Sequence, residues 1–342
     1  MTAERPRTAR TPTWLPHEVS FRDGAVSLAG TLAMPRRRPH AGVVMIHGSG
    51  AADRYNGGYF APIRSHLARH GLAVLCYDKP GIGGSSGDWR GQTLHGRAEE
   101  ALAALRFLQG RGDIDPSRVG LYGHSQGGWV APLAASTSRD VAFIIAVSGP
   151  GVSPAEQGRY AVEEGMRCDQ WPEDHVAEAV AFIDHLSGAA RRGEDFGSIE
   201  PALCRARTAA WFEHLPKYFP ILDEELWSFL TRRDPLTGRP FVDYDPVPVL
   251  ERVARCPVLA IFGERDWVVP VRASVAAYEA ALTRAGNRDF TITVFPDANH
   301  RIDSDHRGEF APAFLETLTS WILQRTVTVR PRLGAPGAPS AP

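Results

Sequence analysis

The chain is expected to fold as an α/β protein, with a mostly parallel sheet, helices on both faces and an inserted helical cap. Three observations lead there. Short apolar runs rich in β-branched residues alternate with segments of helical periodicity through residue 151. The alternation stops from about Val152 to Val249, where only helical patterns occur. It then resumes for two further strands. Such alternation implies parallel strands covered on both faces. A parallel crossover needs only a short helical connection. About a hundred residues occupy one crossover here, so the surplus reads as a cap rather than a loose linker. The expected organisation is a disordered segment at 1–14, core at 15–151, cap at 152–250, core again at 251–325 and a disordered tail at 326–342.

The elements follow in order. "HEVSFRDGAVSLAGTLAMP" alternates apolar and polar residues around the turn signal "RDG", which predicts a β-hairpin. "AGVVMIHG" reads as a buried parallel strand. A helix is expected near Tyr59 to His70, ended by Gly71. "LAVLCYD" is a second buried strand, followed by the loop "KPGIGGSSGDWRGQ". Leu94, Ala98, Ala101, Leu105 and Leu108 recur at helical spacing. "RVGLYGHS" is a strand running directly into the helix "QGGWVAPLAAS", and "VAFIIAVSG" is another strand. In the cap, Val176, Val180, Ile183 and Leu186 mark one helical face. Ala202 to His214 and Asp223 to Leu230 are expected as two more helices. "CPVLAIFGERD" and "FTITVFPDANH" are the last strands, and Phe310, Phe314, Leu318 and Trp321 line a final helix.

Composition excludes some roles. Lys and Arg number 38 against 39 Asp and Glu, for a net charge of −1. No basic footprint for nucleic acid or for a membrane surface results. The Arg-, Pro- and Thr-rich start lacks the apolar core of a secretory signal, and no apolar run is long enough to span a bilayer. Cys76, Cys168, Cys204 and Cys256 are widely spaced and form no CxxC pair. They read as reduced thiols of a cytoplasmic protein, although Cys168 and Cys204 could pair.

The pattern Gly-x-Ser-x-Gly occurs twice, at Gly123-His-Ser125-Gln-Gly127 and at Gly83-Gly-Ser85-Ser-Gly87. Context separates them. Ser125 lies where a buried strand meets a helix, a sharp turn that needs small neighbours and lifts the hydroxyl above the sheet's C-terminal edge. Ser85 sits in a loop with no strand before it, and its glycines read as turn residues. Ser125 is therefore the expected nucleophile. A serine needs a base, and the base needs an orienting carboxylate. His300, at the end of the last strand, is the expected base, with His306 as competitor. His124 is expected to point away from the serine, and His47 to act through its backbone. Asp266, closing the strand before last, is the expected carboxylate, ahead of Glu264 and Asp297. Backbone N–H groups of Ser49, or instead Gly50, and of Gln126 are expected to hold a developing oxyanion.

These pieces, with "HGSG", "YDKPGIGGSSG", "GHSQGG", "GERDWVVP" and "ANH", resemble the α/β-hydrolase superfamily over nearly all of residues 18 to 325. "IHGSGAADR" with "YDKPGIGGSSG" is similar to bacterial serine esterases related to dienelactone hydrolase and the prolyl oligopeptidase catalytic domain. The resemblance implies an α/β-hydrolase fold and a Ser–His–Asp hydrolase with neither metal nor organic cofactor. It implies that Asp78 braces the loop after the first parallel strand, and that Asp53 and Arg54 are structural or line the entrance. Arg301 departs from the family, where a small residue is common, and would crowd or charge the pocket. The expected substrate is a small-molecule carboxylic ester, with a minority of the cap's aromatic residues, Trp171 to Phe229, lining a hydrophobic pocket. Thioesterase, lactonase, cyclising, amidase and peptidase activities are alternatives on the same fold. A non-catalytic ligand binder is the alternative outside enzymes. A degraded triad would mark it, whereas every piece is present here.

Overall fold

The computed structural model describes residues 13–36, 41–220, 222–235, 237–304 and 308–326. Eight strands form one sheet: β1 (Trp14–Asp23), β2 (Val26–Pro35), β3 (Ala41–Ile46), β4 (Leu72–Tyr77), β5 (Val119–His124), β6 (Ile144–Val147), β7 (Val258–Gly263) and β8 (Phe290–Phe295). Their spatial order is β1-β2-β4-β3-β5-β6-β7-β8. β1 and β2 form the antiparallel hairpin, β2 pairs antiparallel with β4, and every later pairing is parallel.

Every residue of β3 to β7 is buried, which is why these strands read as continuous apolar runs rather than alternating ones. Successive side chains still serve opposite faces. Val44 and Ile46 pack into the cluster formed with α2 (Leu94–Gln109), α3 (Gly127–Thr137) and α9 (Val271–Arg284). Val43 and Met45 pack into the other, with α1 (Phe60–Arg69) and α10 (Phe314–Thr326). The strand order reverses between β3 and β5: the chain leaves β3 toward β4, then crosses back to β5. At such a switch point the loops beyond the strands' C-terminal ends diverge and leave a crevice.

Between β6 and β7 run α4 (Pro154–Cys168), α5 (Glu173–Arg192), α6 (Phe196–Ala206), α7 (Glu224–Thr231) and α8 (Val247–Leu250), with 3₁₀ turns at Phe212–Lys217 and Phe241–Asp243. Residues from α4 to the second 3₁₀ turn bury a core of their own, including Val162, Ile183, Leu203, Trp211 and Trp227. The expected helix from Ala202 to His214 is divided. Asp195 accepts from Ser198 N (2.8 Å) and starts α6 early. The chain then turns after Ala206, so that Trp211 and Leu215 reach that core. α4 carries a capping box, in which the Ser153 hydroxyl accepts from Glu156 N and Glu156 accepts from Ser153 N.

Smaller differences lie at the ends. Trp14 opens β1 opposite Pro35, and Thr326 closes α10 with its hydroxyl on Ile322 O (2.8 Å). Both residues fall inside segments expected to be disordered, and the rest of those segments, apart from Thr13, lies outside the described residues. His306, the competing base, also lies outside them. β7 and β8 stop at Gly263 and Phe295, so Asp266 and His300 stand in the loops beyond the strands rather than on them. All four cysteines are free, including Cys168 and Cys204. No described helix is long and apolar enough to cross a membrane.

Candidate active site

Ser125 occupies the turn between β5 and α3 at φ 55°. The left-handed region costs a non-glycine residue about 1–2 kcal/mol, and the surroundings hold it there. Ser125 N donates to Val147 O (2.9 Å), and Gly128 N donates to Ser125 O (2.7 Å). The flanking glycines are steric necessities: a Cβ on Gly123 would run into the Gly127 carbonyl, and one on Gly127 into Ile46 O. Ser85 differs. Its hydroxyl donates to Asp78 O (2.8 Å) and accepts from Ala29 N (2.9 Å), so it stitches the loop after β4 to the hairpin.

Asp266 and His300 meet across two adjacent loops. Glu264 N donates to Phe295 O (2.9 Å) and Arg265 N to Ala298 O (2.8 Å). This close approach requires Gly263, where a Cβ would collide with the carbonyls of Ala298 and Asn299. His300 Nδ1 then lies 2.8 Å from Asp266 Oδ2. Asp266 is 2 % exposed, and its Oδ1 accepts from Val268 N (2.8 Å) and Val269 N (2.9 Å). Three donors thus satisfy a buried carboxylate. Tyr160 of α4 donates its hydroxyl to Asp266 O (3.2 Å). The rival acids face elsewhere: Glu264 accepts from Asp297 N (3.1 Å), and Asp297 pairs with Arg265 on the surface. Among the described residues Ser125 Oγ makes no hydrogen bond. The serine–imidazole link is thus the one contact of the expected triad not made among the described residues.

His124 has a part that its sequence position does not reveal. It turns away from the cavity described below, but its Nε2–H donates to His300 O (3.2 Å), and the two rings stand 5.1 Å apart. Burial first, then the neighbouring His300, hold its imidazole well below the usual 6.5, so it stays the neutral donor that a carbonyl partner demands.

The loop after β3, residues 47–50, rests on two buried cations. Lys79 Nζ donates to Gly48 O (2.7 Å) and Gly50 O (2.6 Å). Arg97, on α2, donates from Nη2 to His47 O (3.0 Å), and from Nη1 to Gly48 O (3.2 Å) and to Gln126 Oε1. Lys79 is 1 % and Arg97 5 % exposed. Burial pushes both below their ordinary ranges, Lys79 far below, and the Glu100 carboxylate pulls each back toward its charged form. His47 acts here through its carbonyl. Asp78 accepts from Arg54 N (2.8 Å), Nε (3.1 Å) and Nη2 (2.7 Å), and from Gly84 N (3.0 Å), which ties the segment following this loop to the loop after β4. Burial alone would raise its pKa, but these donors outweigh that and lower it. Arg54 is therefore structural. Arg301 lies over the Tyr59 ring (5.0 Å) and does not line the cavity.

That cavity, of about 610 Å³, lies between the sheet's C-terminal edge and the inserted helices. Ser49, Gly50, Ser125 and Gln126 line it from the sheet side, and Gln157, Ala161, Phe219 and Leu226 from the insertion. Among the described residues no three His, Cys, Asp or Glu side chains are grouped to hold a metal ion.

Comparison with known proteins agrees with this architecture. An uncharacterized 31.7 kDa protein of Escherichia coli is 24% identical over 216 residues, 61% of this chain and 68% of its own. An esterase of Pyrococcus furiosus superposes with a TM-score of 0.60 at 19% identity, covering 95% of this chain and 97% of that one. A dienelactone hydrolase of Anabaena variabilis gives 0.53 at 17% identity, covering 91% and 98%. At these identities the likeness is one of fold. The model of the alpha/beta hydrolase family matches residues 43–313, and the chain belongs to that family.

Proposed function

We propose that the protein is a serine hydrolase that cleaves a carboxylic ester through an acyl-enzyme. The observation that carries this reading is the buried Asp266–His300 hydrogen bond at the same sheet edge as the left-handed Ser125. Asp266 occupies Nδ1 of His300 and leaves Nε2 to accept the serine proton. Ser125 Oγ then attacks the acyl carbon, His300 takes its proton, and the N–H groups of Ser49 and Gln126 hold the oxyanion. His300 returns the proton to the leaving alkoxide, and water repeats the sequence to free the acid. Among the described residues neither N–H has a protein acceptor, which suits both to an incoming charge.

The inserted helices act as a cap that sets substrate choice. The cavity lies in the size range of small-molecule sites, and its walls include Trp129, Phe219, Phe229 and Trp267. These favour a bulky, apolar ester. The test is hydrolysis of a p-nitrophenyl ester by Ser125→Ala. Activity should vanish to the buffer rate, and retention of most of it would end this reading. A panel of p-nitrophenyl esters, acyl-thioesters and aminoacyl anilides ranks ester against the alternatives, and ester turnover should exceed the others.

A further inference from the structure

The two proposed oxyanion donors come from different strands. Ser49 follows β3, and Gln126 follows β5. Their spacing must hold to a few tenths of an ångström for both to reach one oxygen. No hydrogen bond joins the two residues directly among those described. Instead, Arg97 Nη1 touches both sides, donating to Gly48 O and to Gln126 Oε1.

We propose that Arg97 and Lys79 form a cationic clamp that sets the direction and spacing of the oxyanion donors. This inference rests on the serine hydrolase reading above. The peptide joining Gly48 to Ser49 is planar and trans. Its carbonyl and its N–H therefore point in opposite directions. Lys79 and Arg97 both hold the Gly48 carbonyl, so they also fix where the Ser49 N–H points. Arg97 also holds His47 O, in the peptide just before that one, and Lys79 holds Gly50 O, two peptides further on, so the loop is pinned on both sides of the Ser49 N–H. A loop of mobile peptides would have to reorganise as charge develops; this one is already set.

The arrangement is expensive for a purely structural device. Two cations lie buried together, with the buried carboxylate of Glu100 one turn after Arg97 on α2 and that of Asp78 committed to Arg54. Neutral side chains could hold the same carbonyls at less desolvation cost. Cations polarise the peptides they hold more strongly than neutral donors do, which makes the opposite N–H a stronger donor. Both residues line the cavity, but their hydrogen bonds go to the loop and to Gln126 and none to Ser125, Asp266 or His300. Both are positioning residues.

The test compares the full-length wild type with Lys79→Met, which leaves Arg97 beside Glu100, and with Arg97→Met/Glu100→Gln, which removes a charge of each sign and so leaves the net buried charge unchanged. Gln126→Met is a third variant. It keeps the backbone N–H and every buried charge, and cuts only the tie to Arg97. Each is assayed for kcat and KM on a short p-nitrophenyl ester, for inhibition by a phenylboronic acid and for inactivation rate by a fluorophosphonate. A lost oxyanion donor costs about 10²–10³ in rate. The clamp variants should lose at least about tenfold in kcat, in boronate affinity and in inactivation rate, with KM changed by less than about threefold. Thermal melts report the folded fraction. If kcat per folded molecule stays within about threefold of wild type in all three variants while only the melting temperature falls, the residues are merely structural and the clamp is overturned. A wild type that the fluorophosphonate does not inactivate overturns the hydrolase reading and the clamp with it. A wild type that reacts, with variants that react equally fast, overturns the clamp alone.

Discussion

Replacing Asp266 by Asn tests the His300 tautomer, on which the proposed mechanism turns. The change is nearly isosteric. The amide oxygen can keep the two backbone bonds from Val268 and Val269. The amide nitrogen then faces His300 Nδ1, which lies 2.8 Å from Oδ2 in the native site. Two donors cannot share that contact. The imidazole must move its proton to Nε2 so that Nδ1 accepts, and Nε2 then cannot accept from Ser125. A tautomer error of this kind costs about 10⁴ in kcat, or about 5 kcal/mol of transition-state stabilisation. The fold loses much less, about 1–2 kcal/mol, because the three hydrogen bonds to this carboxylate turn from charge-assisted to neutral while the cost of burying its charge is relieved. The assay is kcat on p-nitrophenyl acetate beside a urea melt of the same preparation. An Asp266→Asn enzyme with kcat within tenfold of wild type, and correctly folded, would refute the assignment of His300 and Asp266 as base and orienting carboxylate.

Two other expectations follow from the geometry. His47 and His124 are both held well below 6.5 by burial, aided at His47 by Lys79 and Arg97 and at His124 by His300. Below pH 6.5 the unfolded chain binds two protons that the folded chain refuses, so stability is present above that pH and is lost as pH falls. The slope approaches about 1.4 kcal/mol per pH unit for each histidine. Urea melts between pH 6.5 and 5.5 should show His47→Gln shallower by one proton, and an unchanged slope would mean that His47 does not titrate as described. In the cavity, Ala161 of α4 is a wall residue, and Ala161→Trp should exclude at least two methylenes of a long acyl chain. At about 0.8 kcal/mol each, kcat/KM for p-nitrophenyl decanoate should fall more than about tenfold relative to the acetate. Equal losses on both esters would place the acyl chain elsewhere.

Much of the fold was legible because its signals are local. β3 to β7 are apolar runs that only a doubly covered sheet requires, and the helices between them show their buried faces within a few turns. Ser125 could be told from Ser85 for the same reason: the strand before it and the helix after it lie in adjacent sequence. The loops carrying Asp266 and His300 could be placed at one edge of the sheet because both follow parallel strands. What stayed hidden depends on tertiary approach. Arg97 looks like any arginine in an amphipathic helix, and nothing within α2 says that it reaches a loop 49 residues earlier. Lys79 sits in a turn-rich segment where a lysine ordinarily faces solvent. His124 meets the His300 carbonyl across 176 residues. Gly263 is required only because the Asn299 loop crosses it. α4 is a different case: "SPAE" at Ser153 to Glu156 is a capping signal, and it marks the start of the helix that brings Tyr160 to Asp266.

The most direct test of the central claim is to label the protein with a fluorophosphonate and map the adduct by peptide mass spectrometry, alongside Ser125→Ala and Ser85→Ala. The account predicts one adduct, on Ser125, in the wild type and in Ser85→Ala, and none in Ser125→Ala. An adduct on any other residue, or labelling that survives Ser125→Ala, would contradict it.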